Sequence, residues 1–329
     1  MKFIRMQNLT TDIIYEPIKD DLIRVDKVLK DVAQIDFPFL VDLLDHIIDA
    51  GGKRVRPAVT ILASNFHPHE THAIEIMGAA VELLHIATLV HDDTIDDSNL
   101  RRGKETISSI WGRNIAVLVG DYIFASSARH VCDTGNVKVI KRFSETIMEL
   151  SRGELQEISE AYSSNQSMES YLERIYKKTG SLFMTAGESG AVLSGASESF
   201  CQALKLYGYN IGMAFQIVDD ILDLNGDQLE IGKPIGNDLA HGIITLPAIL
   251  LVEKYPRDNP VIKLMQDPKN THHLDQSVQM IRNSSIIRDS YSIAESYCNH
   301  ALNQLKILPD IPSRKSLEHL VEYVVKRRN

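Results

Sequence analysis

Apolar residues recur at three- and four-residue intervals along most of the chain, the spacing that places them on one face of an α-helix. Residues 22–32 and 204–218 are two clear examples. No segment shows the strict alternation of apolar and polar residues that predicts a strand. The pattern therefore predicts an all-α protein of roughly ten or more helices.

Residues that favour turns interrupt the helical pattern at several points and predict where helices end. These breaks lie at 66–68, 133–136, 163–167, 256–260 and 308–313. None is long or biased enough to be an interdomain linker, and no repeat of fixed period is present. We therefore expect a single domain over residues 1–329, with N-terminal helices in 1–50, a motif-bearing core in 51–247 and C-terminal helices in 248–329.

The composition is that of an ordinary soluble globular protein. The 329 residues include 44 Asp and Glu against 35 Lys and Arg, giving a formal charge of −9 that argues against a nucleic-acid groove. Cys132, Cys201 and Cys298 are far apart and form no C-x-x-C pair, so neither a disulfide framework nor a zinc site is expected. A reducing cytoplasm is the expected compartment.

Neither a targeting segment nor a membrane span is expected. Residues 1–17 lack the uninterrupted apolar stretch of a signal peptide and the arginine-rich pattern of a transit peptide. Residues 243–252 are taken as the most apolar segment, at about half the length of a membrane span, and they contain Pro247.

Two aspartate clusters of the form D-D-x-x-D follow apolar helical segments. The first is Asp92, Asp93 and Asp96, and the second is Asp219, Asp220 and Asp223. Positions 92 and 96 share a helix face, whereas position 93 points about 100° away. Like charges one turn apart repel unless a cation lies among them, and carboxylate oxygens suit Mg²⁺. One such cluster is often only a solvated helix end, but two copies on apolar helices predict a divalent-metal site between helices.

Basic motifs accompany the aspartates. The segment GGKRVRP at 51–57 places three bases at a predicted helix start, where free N–H groups also favour anions. Arg101 and Arg102 follow the first aspartate cluster, and KKTG at 177–180 and GKPIGND at 232–238 add further donors. Each basic stretch alone is usually a solvated face, yet together they predict a diphosphate site.

These motifs, in this order, resemble those of trans-type polyprenyl diphosphate synthases. The segments concerned are GGKRVRP, ELLHIATLVHDDTIDDSNLRRG, LVGDYIFA, KKTGSLF, FQIVDDILD and GKPIGNDL, between residues 51 and 247. The resemblance implies the all-α isoprenoid synthase helical bundle with a central active-site cavity. It also implies Mg²⁺-dependent head-to-tail condensation of isopentenyl diphosphate with an allylic diphosphate, with three Mg²⁺ ions per active site when substrates are bound.

The resemblance also implies a role for each matching residue. The Mg²⁺ ligands are Asp92, Asp93, Asp96, Asp219, Asp220 and Asp223. Isopentenyl diphosphate is held by Lys53, Arg56, His85 and Arg102. The allylic diphosphate is held by Arg101, Lys178, Thr179, Gln216 and Lys233. Relatives often carry a further lysine where this chain has Ile243, which removes one diphosphate ligand.

The path of the growing product is predicted to run below Asp92, past Leu84, Ala87 and Thr88. Ala87 and Thr88 are small, and an aromatic residue there would block the path, although small residues also let helices pack closely. A helix from Thr71 to Asp92 rises about 31 Å, which at about 4–5 Å per isoprene unit gives a product of about 30–45 carbons. Quinone side chains are the usual use of such products in the family.

Three alternatives follow from the same residues. A class I terpene cyclase shares the fold, but it lacks an isopentenyl diphosphate site and usually has a different second metal motif. The chain could instead be a catalytic subunit that requires a second polypeptide, although a homodimer is the expected state. An acidic bundle that only binds divalent ions accounts for the aspartates but not for the ordered basic motifs.

Overall fold

The computed structural model describes residues 11–164, 166–225 and 235–326, which are mostly helical. The first half contains α1 Thr11–Tyr15, α2 Lys19–Asp31, α3 Pro38–Ile48, α4 Val55–Ser64, α5 Thr71–Ile95, β1 Leu100–Arg101, β2 Lys104–Glu105, α6 Ile107–Trp111, α7 Arg113–Asp133 and α8 Val137–Glu160. The second half contains α9 Met168–Ile175, a π-helical turn Tyr176–Gly180, α10 Ser181–Leu193, α11 Glu198–Asn225, α12 Asn237–Ala240, α13 Leu246–Lys254, α14 Pro260–Gln266, α15 Thr271–Arg282, α16 Ile286–Leu305 and α17 Pro312–Lys326.

The helix ends lie where the sequence predicts them. Helices α4, α7, α8, α13 and α16 each end within three residues of the start of one of the five predicted breaks. Several of the following helices begin with a side chain that caps the free N–H groups of the first turn. Asn136 caps α8, Ser167 caps α9 and Asn259 caps α14, so turn-forming residues both end one helix and start the next.

The sequence shows no alternating pattern that predicts a strand, yet the described part of the chain contains two short strands, at residues 100–101 and 104–105. β1 and β2 form a two-stranded antiparallel ribbon, in which Arg101 pairs with Lys104. Arg102 and Gly103 form the turn between them and both have positive φ angles, 52° and 78°. Strands of two residues are too short to show an alternating pattern, so the turn determines this ribbon rather than the hydrophobic pattern.

Two long helices organise the core. Helix α5 packs along α7, α4 and α2, and helix α11 packs along α16 and α10. One buried hydrophobic cluster extends from Ile14 near the start of the described chain to Val324 near its end. A second, smaller cluster joins α5, α7, α8 and α10. The carboxyl-terminal ends of α5 and α11 carry the two aspartate clusters.

By length and composition, α5 and α7 are each able to cross a membrane. In α5, 78% of the apolar stretch is buried inside the protein, compared with 33% in α7. Among the described residues, the segment 243–252 does not meet the same test. Helix α5 is therefore a core helix, whereas α7 leaves much of its apolar surface exposed.

Candidate active site

The first aspartate cluster ends helix α5. Asp92 and Asp93 lie in its last turn and Asp96 is its C-cap residue. Burial raises the pKa of Asp92 to about 7; Lys178 opposes this shift, while Glu154 and Asp96 add to it. Asp93 lies on a different side of the helix, where its Oδ2 accepts a hydrogen bond from Arg101 Nε at 2.6 Å. The structure therefore separates Asp93 from the face that carries Asp92.

The second aspartate cluster lies near the end of α11. Asp220 is buried, and its two oxygens accept hydrogen bonds from the Tyr171 hydroxyl and Gln216 Nε2, both at 2.7 Å. Gln216 Oε1 in turn accepts one from Thr179 Oγ1 at 2.6 Å. Burial, followed by the neighbouring Asp238, raises the pKa of Asp220 and of Asp223 to about 8. These carboxyl groups are crowded in the absence of a cation.

The π-helical turn joins the two clusters. Lys178 interacts electrostatically with Asp92, while the next residue, Thr179, reaches Asp220 through Gln216. A π-turn carries one more residue than an α-helical turn, and such turns are frequent at functional sites. Gly153 of α8 permits close packing here, because a Cβ on it would lie 2.9 Å from the Lys177 Cβ.

Two glutamates that the sequence analysis missed hold Lys178 in place. Its Nζ pairs with the carboxylates of Glu157 and, at 3.3 Å, Glu154 on α8. Burial lowers the pKa of Lys178, but Glu157, Glu154 and Asp92 outweigh it and the pKa is raised overall. The only sequence signal was a pair of glutamates three residues apart on an amphipathic helix, and that pattern is ordinary.

The residues available fit divalent metal ions shared with a phosphate ligand. The Asp93 Oδ1 atom is buried and accepts no hydrogen bond from any described residue. No three Asp, Glu, His or Cys groups in the described part of the chain already form a cage for one ion. Mg²⁺ characteristically binds through one or two carboxylates together with substrate phosphates and water. The two clusters match that requirement better than they match a metal held by protein alone.

Of the basic residues in the 51–57 motif, Arg56 lies close enough to Asp219 of the second cluster for an electrostatic interaction, whereas Lys53 contacts only Tyr15 and Tyr323 among the described contacts. Lys53 is exposed, with its carbonyl accepting a hydrogen bond from the Tyr15 hydroxyl at 2.8 Å and its Nζ 5.3 Å from the Tyr323 ring. Arg56 lies in the first turn of α4, with its guanidinium 4.7 Å from the Phe183 ring. Its Nε is buried and donates to none of the described residues. An unpaired buried donor of this kind suits an anionic ligand.

Burial shifts the pKa of Arg56 and of the nearby His85. It lowers the pKa of Arg56 to about 10, although Glu82 and Asp219 oppose this shift. Burial also holds the pKa of His85 well below its ordinary value, and Arg56 and Arg102 lower it further. His85 is therefore neutral at pH 7, which makes it a hydrogen-bonding group and a poor proton acceptor.

Glu82 is a buried carboxylate among these bases that the sequence analysis also missed. Arg54 bridges it to Asp26, with Nη1–Oε1 and Nε–Oδ1 distances of 3.0 Å and 2.9 Å. Arg102 lies close enough to Glu82 for an electrostatic interaction and donates to the Gly51 carbonyl. Both arginines have positive φ angles, 49° and 52°, which cost about 1–3 kcal/mol each for a non-glycine residue. Such strained residues are concentrated at functional sites.

A mostly apolar cavity of about 70 Å³ lies between α3, α5 and the β1–β2 ribbon. Ile47, Ile86, Leu89 and Ile107 form much of its lining, and Arg101 and Arg102 also line it. It does not include Leu84, Ala87 or Thr88. This cavity is therefore separate from the predicted product path.

The three residues predicted to line the product path have different surroundings. Leu84 lies in the smaller hydrophobic cluster with residues of α7, α8 and α10, and Ala87 is fully buried in the main core. Thr88 is only partly buried and donates a hydrogen bond to the His85 carbonyl at 2.8 Å. Thr88 is therefore the position of the three with room for a larger side chain.

Two further predicted features lie beyond the second cluster. Lys233 falls outside the described residues. Ile243 is partly buried, and its N–H donates to the Asp238 carbonyl at 2.9 Å.

The fold and the site together define an all-α enzyme with carboxylates and arginines arranged for a diphosphate substrate. The chain belongs to the polyprenyl synthetase family, because the family model described as "Polyprenyl synthetase" matches residues 37–283. This confirms the family, the fold class and the prenyltransferase activity expected from the sequence. The roles of individual residues stay predictions.

Several named relatives are similar in sequence over nearly the full length of this chain. Heptaprenyl diphosphate synthase component 2 of Bacillus subtilis is 36% identical over 314 residues, which cover 95% of this chain and 90% of the relative. The chloroplastic solanesyl-diphosphate synthase 2 of Oryza sativa is 34% identical, covering 98% of this chain and 81% of the relative. Both names refer to long-chain products.

A solved structure extends the comparison. The polyprenyl synthase of Caulobacter crescentus, complexed with calcium and isoprenyl diphosphate, has a TM-score of 0.93 and 32% identity, covering 98% of this chain and 100% of that one. That protein binds a divalent cation together with a prenyl diphosphate. The similarity therefore agrees with divalent-metal use by this family.

Proposed function

We propose that this chain is a Mg²⁺-dependent trans-prenyltransferase that adds isopentenyl diphosphate units head-to-tail to an allylic diphosphate, giving a long all-trans polyprenyl diphosphate. The observation that carries the proposal is the π-helical turn, where Lys178 faces the first aspartate cluster and Thr179 connects to the second. One diphosphate placed there meets carboxylates, an ammonium group and a hydroxyl at once. The names of the long-chain relatives support the product class.

The allylic diphosphate is held by Arg101, Lys178, Thr179 and Gln216, with Lys233 as a further ligand. The two aspartate clusters would hold Mg²⁺, which when bound would neutralise the negative charge that grows on this diphosphate as its bond to the allylic carbon breaks. Lys178 gives up part of its pairing with Glu154 and Glu157 and donates to the departing oxygens. The surrounding apolar helices keep water away from the allylic cation.

Isopentenyl diphosphate is held by Lys53, Arg56, His85 and Arg102, so that its double bond faces the allylic carbon. Arg56 gains a partner for its buried Nε, and neutral His85 contributes a hydrogen bond rather than a positive charge. The double bond attacks the cation, and the adduct then loses a proton. Because His85 is a poor base, the departing diphosphate accepts that proton.

The length of the path below Asp92 sets the product length. Helix α5 begins at Thr71, as the sequence estimate assumed, so the estimate of about 30–45 carbons is unchanged. A quinone side chain is the proposed use of such a product. The three cysteines are free, which is in keeping with the proposed cytoplasmic location.

One assay tests the proposal. Purified protein is incubated with Mg²⁺, farnesyl or geranylgeranyl diphosphate and labelled isopentenyl diphosphate, and the products are sized by chromatography after removal of the diphosphate. We expect products of about 30–45 carbons and no turnover in EDTA. Hydrocarbon release without isopentenyl diphosphate would instead identify a cyclase, and elongation that stops at 15 or 20 carbons would contradict the long-chain assignment.

Replacing Arg56 by methionine is expected to raise the KM for isopentenyl diphosphate by about 10- to 100-fold, since charge-assisted hydrogen bonds are lost. The folded protein should be no less stable, because burial lowers the pKa of Arg56 and its charge therefore opposes folding at pH 7. Steady-state kinetics and thermal unfolding measure the two effects. Arg288→Met, at an exposed position of α16, is the control, and an unchanged KM in Arg56→Met would remove Arg56 from the site.

We propose a homodimer formed through α7, because this helix is apolar yet largely exposed. Val117 and Leu118 are 44% and 65% exposed on its outer side. Leu118→Glu is expected to convert a dimer into monomers in size-exclusion chromatography with light scattering, since a buried unpaired charge is costly. Ile307→Glu, at an exposed position outside α7, should leave the dimer intact. A Leu118→Glu variant that stays dimeric would exclude this face.

The second candidate is a catalytic subunit that needs a different polypeptide. It is favoured by the name of the Bacillus subtilis relative, a "component 2". The same exposed face of α7 would then bind the partner. Elongation by the purified chain alone supports the homodimer, whereas a chain that binds Mg²⁺ and diphosphate without turnover supports the heteromeric enzyme.

A further inference from the structure

A buried arginine outside the predicted set connects α9 to the segment that follows the second aspartate cluster. Arg174 has only 1% of its side chain exposed. Its Nη2 donates to the Ile244 carbonyl at 2.9 Å and its Nη1 donates to Gln166 Oε1 at 3.0 Å. The same Gln166 oxygen accepts the Ile244 N–H at 3.2 Å. Arg174 and Gln166 thus form hydrogen bonds with the carbonyl and the N–H of Ile244, respectively. We call this pair of side chains the brace.

Gly242 is held by residues of the connection between α8 and α9, which also contains Gln166. Its carbonyl accepts hydrogen bonds from the Tyr162 N–H at 2.9 Å and from Gln166 Nε2 at 3.2 Å. Its φ angle is +78°, and a Cβ would lie 2.5 Å from the Tyr162 ring, so only glycine fits. Residues 242–244 are therefore attached to the connection between α8 and α9 at several points.

The other end of this segment bonds to the second aspartate cluster. The Ile243 N–H donates to the Asp238 carbonyl at 2.9 Å, and the Asp238 N–H donates to Asp223 Oδ2 at 3.4 Å. The Gly236 N–H also donates to the Asp223 carbonyl at 2.9 Å. Hydrogen bonds joined by the backbone of Asp238, Ile243 and Ile244 therefore link Arg174 to Asp223.

Helix α9 reaches the cluster by a second route as well. Tyr171, one turn before Arg174, donates its hydroxyl hydrogen bond to Asp220. The Arg174 guanidinium lies 5.9 Å from the Tyr171 ring centre. The carboxylates of Glu160 and Glu157, at 3.4 Å and 3.8 Å from its nitrogens, hold the guanidinium from the side of α8. The buried Arg174 side chain thus contacts Tyr171, which donates to Asp220, and Ile244, which belongs to the segment that donates to Asp223.

The segment that carries Asp238 lies against the second aspartate cluster. Asp238 interacts electrostatically with both Asp220 and Asp223. The segment 235–245 has only short helical structure of its own, so the hydrogen bonds from Tyr162, Gln166 and Arg174 hold it, and with it Asp238, beside the cluster.

We propose that Arg174 is a positioning residue for the second aspartate cluster, acting through the backbone of residues 242–244. It touches neither substrate nor metal. This inference rests on the proposed function, since it assigns the cluster to Mg²⁺ and diphosphate. The proposal also gives a role to the buried Arg174, which lies far from the aspartates in the sequence and was not predicted to act with them.

Arg142 provides a matched control. It is also buried, its Nη2 pairs with Glu149 at 2.6 Å, and its Nε donates to Thr185 Oγ1 at 3.0 Å. Arg142 also interacts with Tyr176 at the start of the π-helical turn, but none of these partners lies in residues 220–245. Replacing either arginine breaks a buried ion pair, so both variants lose thermal stability. Only Arg174 is bonded to the segment beyond the second cluster.

The test measures metal binding without turnover. Thermal unfolding is followed against Mg²⁺ concentration at fixed inorganic pyrophosphate for the native chain and for Arg174→Met, Arg174→Lys, Gln166→Leu and Arg142→Met. We expect Arg174→Met and Gln166→Leu to raise the half-saturating Mg²⁺ concentration about 10- to 100-fold, the usual effect of losing a support for metal ligands. Arg174→Lys should fall between these and native, and Arg142→Met should match native despite its lower melting temperature.

Two results would overturn the proposal: Mg²⁺ saturation of Arg174→Met and Gln166→Leu at native concentrations, or an equal shift in Arg142→Met. Because Gln166 is partly exposed and uncharged, its variant tests the brace even if Arg174→Met does not fold. Failure of the proposed function gives a different result, namely a native chain that Mg²⁺ and pyrophosphate do not stabilise at all.

Discussion

Asp92→Asn or Asp219→Asn is expected to lower the elongation rate about 10³-fold or more, the effect of losing several kcal/mol of metal-based charge stabilisation. Asparagine keeps the size of the side chain while removing the charge that attracts the cation. The measurement is incorporation of labelled isopentenyl diphosphate at saturating substrate. Asp275→Asn, at an exposed position of α15, should retain native activity. Undiminished turnover in either active-site variant would contradict the metal-site assignment.

The stability of Asp92→Asn distinguishes loss of metal binding from misfolding. Burial raises the pKa of Asp92 to about 7 from its ordinary 3.8, so its ionisation destabilises the folded chain progressively as the pH rises from about 4 to 7. Above pH 7, and without Mg²⁺, the asparagine variant should therefore melt at or above the native temperature. A lower melting temperature would instead attribute the lost activity to misfolding.

Thr88→Phe is expected to shorten the product to well below about 30 carbons, since position 88 lies only one turn, about 6 Å, below Asp92. Thr88 is only partly buried, so the ring can be accommodated, whereas Ala87 is fully buried in the core and Ala87→Phe should mainly destabilise the protein. Product sizing by chromatography, together with the rate of the first condensation, measures the effect.

Thr88→Val is the control for Thr88→Phe, because it removes the hydroxyl without adding length and should keep the native product. A native product distribution in Thr88→Phe would move the path to another face of α5. With dimethylallyl diphosphate as the primer, the first condensation should proceed at a near-native rate, since one five-carbon unit of about 4–5 Å does not extend past position 88. A general loss of rate would indicate damage to the aspartate cluster instead.

The local features of this protein were predictable because each depends only on residues that are close together in the sequence. The helix breaks, the position of both aspartate clusters at helix ends, and the roughly 100° separation of Asp93 from Asp92 all follow from periodicity and turn chemistry. The order of several such motifs was then specific enough to indicate the family. None of these inferences needed a contact between distant parts of the chain.

What the sequence did not reveal depends on contacts between distant residues. Glu82 becomes notable only when the fold surrounds it with arginines, and Glu154 and Glu157 only when Lys178 pairs with them. The bond between Arg174 and Ile244 joins residues 70 positions apart. The ribbon at 100–105 is determined by a two-residue turn with positive φ angles, which hydrophobic periodicity does not detect.

The π-helical turn at Tyr176–Gly180 constrains the number of residues between α9 and α10 as well as their identity. Deleting one residue there would let the two helices merge into one regular α-helix, but it would rotate everything after the deletion by about 100° about the helix axis. Phe183 would then leave Arg56, while Tyr171 stayed with Asp220. Single-residue insertions and deletions between Tyr171 and Phe183 are therefore expected to be excluded during evolution.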